Sequence, residues 1–83
     1  MLRTINLDGR AVELELTKEG RVSFGKVYIG NVVNTEHGWQ ATNIYNDVRL
    51  FRRQRDALAH ICYDCPAFWD ETIRMLTAAR DDL

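Results

Sequence analysis

The stretch Arg3-Thr4-Ile5-Asn6-Leu7-Asp8-Gly9-Arg10-Ala11-Val12-Glu13-Leu14-Glu15-Leu16 decides the fold class. It is two alternating runs joined by Asp8-Gly9, the dipeptide whose positive backbone φ angles suit a two-residue hairpin turn. A turn there sets Ile5 opposite Val12, Arg3 opposite Leu14 and Leu7 opposite Arg10. One face then carries Ile5, Leu7, Val12 and Leu14, and the other carries Thr4, Asn6, Glu13 and Glu15. The first face is expected to pack inward and the second to meet water.

Working outward, Lys18-Glu19-Gly20 is the next turn. Val22 and Phe24 share one parity, and Val27 and Ile29 the other. A glycine at a parity change marks a bulge or sharp bend, so Arg21 to Val33 is expected as one long bent strand, or two short ones, phased at Gly25. Asn34-Thr35-Glu36-His37-Gly38 is a longer hairpin loop into the strand Trp39 to Tyr45, and Asn46-Asp47 turns into Val48-Arg49-Leu50-Phe51. Beyond Arg52 the period changes: Ala57, Leu58, Ile61 and Cys62 recur at helical spacing, and the helix should stop near Tyr63. Pro66 excludes helical geometry from Cys65 and suits the first turn of a second helix, with Asp64 as its cap. Trp69, Ile73 and Leu76, flanked by Phe68, Thr72, Met75 and Ala79, form that helix's apolar stripe, and Asp70 pairs with Arg74. Asp81-Asp82-Leu83 is a fraying tail. The expectation is one α+β domain over 1–83: an antiparallel β-meander of about five strands, then two C-terminal helices packed on one sheet face.

Composition narrows function by exclusion. In 83 residues, 46% hydrophobic and 28% charged with a net charge of −1, there is material for one modest core and no overall field to draw nucleic acid or an anionic membrane. Apolar runs are short and no export segment is evident, so the expected setting is cytoplasmic, with Cys62 and Cys65 reduced. Ser23 is the only serine. No nucleophile elbow, glycine-rich phosphate loop or HExxH occurs, and the zinc-deaminase pattern lacks its H-x-E element. Glu13 and Glu15 could pair as acid and base, but alternate residues on a wet face are ordinarily just solvated. The reading is a protein that is not an enzyme.

Three constellations remain. His60, Cys62 and Cys65, with His37 as the only further histidine, are ligand types that suit tetrahedral zinc. This is the one route to a metal- or thiol-dependent activity. The competing reading, preferred here, makes Cys62 a small core residue and Cys65 a spacer before Pro66, with no cofactor. Second, Arg49, Arg52, Arg53 and Arg55 crowd the junction of the last strand and first helix, against the helix dipole. Guanidinium forks there suit phosphate or a partner's carboxylates. A solvated patch, with Asp56 paired to Arg52, is the plainer alternative. Third, Tyr28, Tyr45 and Trp39 would form an exposed aromatic platform if they lie on the uncovered sheet face, and core if they do not.

Gly25-Lys26-Val27-Tyr28-Ile29-Gly30, Gly38-Trp39-Gln40-Ala41, Leu50-Phe51 and Asp56-Ala57-Leu58 give residues 25–62 a strand-strand-strand-helix order. That order resembles the three-stranded sheet plus helix of AP2-type and phage-integrase amino-terminal DNA-binding domains. The resemblance implies a sheet laid in the DNA major groove, with Lys26 and Arg49 as the basic residues on those strands. The acidic Glu13-Glu15 hairpin and Asp81-Asp82 tail oppose phosphates. The leading expectation is therefore a small non-enzymatic binding or regulatory protein that acts through a protein-protein surface, a homodimer joined along an edge strand or the exposed sheet face being one form of it. The alternatives are a nucleic-acid-binding accessory protein that uses the arginine cluster, and a phage- or plasmid-encoded inhibitor of a host nuclease, of the anti-CRISPR type.

Overall fold

The computed structural model describes residues 1–72. Six strands form one antiparallel sheet in sequence order: β1 (Leu2–Leu7), β2 (Arg10–Leu16), β3 (Arg21–Phe24), β4 (Val27–Thr35), β5 (Gly38–Thr42) and β6 (Val48–Phe51). Helix α1 (Gln54–Tyr63) follows, and residues 66–72 are helical. The α+β class and the meander agree with the sequence. The expected apolar positions Ile73, Met75, Leu76 and Ala79, together with Arg74 and the acidic tail, lie outside the described residues.

The first hairpin has the register read from Asp8-Gly9: Ile5 faces Val12, Arg3 faces Leu14 and Leu7 faces Arg10. Ile5, Leu7 and Leu14 are buried, while Thr4, Asn6, Glu13 and Glu15 are exposed.

The strand count is corrected from about five to six at Gly25. Phe24 pairs with Val27 across a two-residue turn in which Gly25 has φ +59 and Lys26 a negative φ. Glycine with positive φ at the first central position is the type II′ pattern, so the chain reverses here and does not merely bend. The parity change sits further on. Val22 faces Gly30 while Ser23 faces Tyr28, leaving Ile29 as the extra residue of a bulge in β4. Ile29 and Val32, of opposite parity, therefore both reach the core. Gly30, φ +149, has no room for a side chain: a Cβ would stand 2.6 Å from the Thr42 carbonyl oxygen and 3.3 Å from Ile61.

Two further corrections follow from local hydrogen bonding. Strands β4 and β5 continue to Thr35 and from Gly38, so the expected longer loop is only Glu36-His37. It is held by the Thr35 hydroxyl, which donates to the Gly38 carbonyl and accepts from the His37 N–H. Asp64 ends α1 and does not cap the second helix. Its carboxylate turns to Asn43, and Cys65 is the residue before the first helical position, Pro66.

Helix α1 packs on β4, β5 and β6 and also reaches β1, so the curled sheet brings both its edge strands to the same helix. Ala57, Leu58, Ile61 and Cys62 form its buried stripe against Leu14, Val22, Ile29, Val32 and Ala41. Phe68 closes the core beside Phe24, edge to face at 5.0 Å between ring centroids.

Candidate functional site

The β5–β6 corner is built around Asn43, a polar side chain only 4% exposed. Its Oδ1 accepts from the N–H groups of Tyr45 (2.8 Å) and Asp47 (3.0 Å), the local bonding that asparagine offers a turn. Its Nδ2 donates to Asp64 Oδ2 at 3.1 Å, tying the corner to the end of α1. The same oxygen lies 3.3 Å from His60 Nε2, an ion-pair distance not aligned as a hydrogen bond. The His60 ring also meets Phe51, 5.2 Å between centroids.

That corner orients β6, an edge strand. The Asn43 N–H donates to the Asp47 carbonyl, which fixes the alternation of the ladder beyond it. Arg49 and Phe51 exchange bonds with Ala41 and Trp39, whereas Val48 and Leu50 turn their N–H and C=O groups to the open edge. Their side chains are 56% and 54% exposed on the outer sheet face, above Thr42 and Gln40. Unpaired backbone and two aliphatic side chains thus share one free margin. Sequence reasoning missed this pair, although Val48-x-Leu50 alternation in the last strand of a meander was its signal.

Arg49, Arg52, Arg53 and Arg55 are all exposed and follow directly from this margin. Among the described residues none of the four makes a side-chain hydrogen bond or ion pair, so the Arg52–Asp56 pairing is absent. Arg53 is the N-cap of α1 in extended geometry (φ −120, ψ 141) without a side-chain capping bond.

The three aromatics do not form one platform. Tyr28 is on the outer face, where the Arg21 guanidinium lies 4.7 Å from its ring centroid and its hydroxyl donates to Asn31 Oδ1 at 2.9 Å. Trp39 projects from the opposite face, opposite Asn34 and Phe51 and half-buried against the core. Tyr45, 62% exposed, sits in the β5–β6 corner outside the sheet.

The zinc ligand set is likewise dispersed. His37 lies in the β4–β5 turn, 3.4 Å from Glu36, and among the described residues no three histidine, cysteine or acidic side chains are placed to share an ion. Cys62 and Cys65 are free, fully buried thiols. Burial, and then its neighbour Cys65, pushes the Cys62 pKa up to about 12, which leaves the thiol protonated and unreactive near neutrality. Tyr63 is raised in the same direction, by desolvation first and then by the Asp8 carboxylate. Lys26 and Arg49, the basic strand residues of the DNA-binding resemblance, stand in the β3–β4 turn and on β6, with β4 and β5 between those strands.

Comparison with protein-family models, with curated proteins and with solved structures finds no match. Among the described residues no helix is long and apolar enough to cross a membrane.

Proposed function

We propose that this chain is a small, non-enzymatic binding domain that engages a protein partner along β6. The observation that carries the reading is the margin formed by Val48 and Leu50, which joins outward backbone groups to exposed aliphatic side chains. Edge strands with this make-up pair readily with another strand unless something blunts them, and strand addition is a general mode of protein recognition. The partner is either another protein or a second copy of the chain, and the two free thiols suit a reducing cytoplasm.

The test is affinity capture on the immobilised full chain in host extract, alongside sedimentation of the chain alone. The expected result is one stoichiometric protein partner or a dimer, lost in the Val48→Lys/Leu50→Lys variant while its far-UV spectrum stays unchanged. Association that survives those substitutions refutes the reading.

A second reading rests on the four exposed arginines, which among the described residues pair with no acid: contact with nucleic-acid phosphates. It requires a gel shift that vanishes in Arg52→Ala/Arg53→Ala. The slope of log affinity against log salt should also fall by roughly 0.9 for each phosphate contact on duplex DNA.

A further inference from the structure

Among the described residues the concave face of the sheet is only partly filled. Helix α1, 10 residues long, occupies the part over β4, β5 and β6, with its first residue, Gln54, at the open end. Beyond Gln54 lies a mouth of about 670 Å³, within the roughly 300–1,000 Å³ typical of small-molecule sites.

Its walls come from both halves of the meander. Leu16 from β2, Val32 from β4 and Trp39 from β5 supply apolar surface. Arg3 and Lys18 supply charge. Arg3 shares the inward parity of Ile5 and Leu7, yet it lies beyond the end of the core and stays exposed. A cation on the inner face of a strand is out of place in a core and in place at the rim of a site. Among the described residues neither Arg3 nor Lys18 has an ion-pair partner and no acid lines the mouth. Glu15, the nearest acid on β2, projects from the other face.

We propose that this mouth is a binding site for a small amphipathic carboxylate. Its apolar body would lie on Leu16, Val32 and Trp39, and its carboxylate at the Arg3 and Lys18 rim. A wholly apolar occupant would leave both cations unanswered, and an inorganic anion would leave the tryptophan and aliphatic walls unused. A guanidinium and an ammonium together match one carboxylate, and the hydrogen bonds they donate are charge-assisted. The site is separate from the β6 margin and does not depend on it.

The experiment is a titration of the ¹⁵N-labelled full chain with decanoate below its micellar concentration, in parallel with decanol and with inorganic phosphate. Decanoate should produce saturable shifts at the Trp39 indole and at Gly20 and Val33. It should bind about tenfold more tightly than decanol, the ratio corresponding to one charge-assisted interaction of about 1.4 kcal/mol. The Arg3→Ala/Lys18→Ala variant, altered only at exposed positions, should lower decanoate affinity to that of decanol while keeping a dispersed spectrum. Equal binding of decanol and decanoate by the wild-type chain overturns the proposal. So do phosphate shifts that match those of decanoate, shifts confined to Arg49–Arg55, and the absence of saturable binding.

Discussion

Replacement of Asn43 by alanine removes three hydrogen bonds at once. The N–H groups of Tyr45 and Asp47 lose their acceptor, and Asp64 loses a donor at 3.1 Å. Tyr45 and Asp47 are exposed, so water can rejoin their N–H groups, and each lost bond costs about 1 kcal/mol net. The bond to the Asp64 carboxylate is charge-assisted and adds about 1.5–3 kcal/mol if its oxygen is left without a replacement. Water access at the half-buried Asp64 trims that figure, so the expected total is about 2–4 kcal/mol. A domain of this length has about 4–12 kcal/mol in all. Asn43→Ala should therefore lower the urea midpoint by about a third at the middle of these ranges, and by no less than about a sixth, with an unchanged slope. Asn43→Asp separates the contributions. It keeps the acceptor for Tyr45 and Asp47 but sets a second carboxylate against Asp64 Oδ2. Like-charge repulsion makes the folded state of that variant bind protons more tightly than the unfolded state, so its stability should fall as pH rises from 4 to 7. An Asn43→Ala loss under 1 kcal/mol, or an Asn43→Asp variant whose deficit is flat across that range, would refute the assignment of Asn43 as the tie between the β5–β6 corner and α1.

Gly30→Ala should be among the most damaging single-methyl additions. A Cβ 2.6 Å from the Thr42 carbonyl must displace backbone, and φ +149 is strained for any L side chain, together about 3–5 kcal/mol by chemical denaturation. Gly25→Ala, also at positive φ but with nothing within 4 Å, should lose only about 1–2 kcal/mol, and equal losses at the two sites would disprove the close-packing argument. For Cys62, the folded pKa of about 12 exceeds the ordinary thiol value of 9.0, so the folded state holds its proton over a range in which the unfolded chain gives it up. Stability linked to this thiol is fully present below pH 9 and should decline by up to about 1.4 kcal/mol per pH unit above it. Cys62→Ala should flatten that alkaline limb, and an unaltered limb would contradict the burial of the thiol.

What could be read from sequence divides by range. Asp8-Gly9 needs only its own backbone preferences and the alternation beside it, and it gave the β1–β2 register residue for residue. Gly25 was legible as special but its role was not. Two glycines flank the parity change, and the one beside the bulge, Gly30, is fixed by Thr42 and Ile61, contacts twelve and thirty-one positions away. Asp64 failed as a helix cap for the same reason: its carboxylate is claimed by Asn43, twenty-one residues back. The arginine run at 49–55 was visible as composition, and its exposure follows from polarity. The exposed margin on β6 depends on which strand ends the sheet, and the concave mouth depends on the curl that brings Arg3 and Trp39 to one opening. Neither is encoded in any local window.

The extra residue in β4 has a consequence for how the chain avoids error. Regular hairpins can slide by two positions and still present the same faces, which is the ordinary route to misfolded pairings and fibrils. Here the pairs of β3 with Gly30 and Asn31 and its pairs with Val27 and Tyr28, on either side of Ile29, run on different phases. A regular β3–β4 ladder that absorbed Ile29 would turn one of these two segments inside out. The sheet therefore carries a proofreading mark within a single strand, legible only when β3 is seated across Ile29.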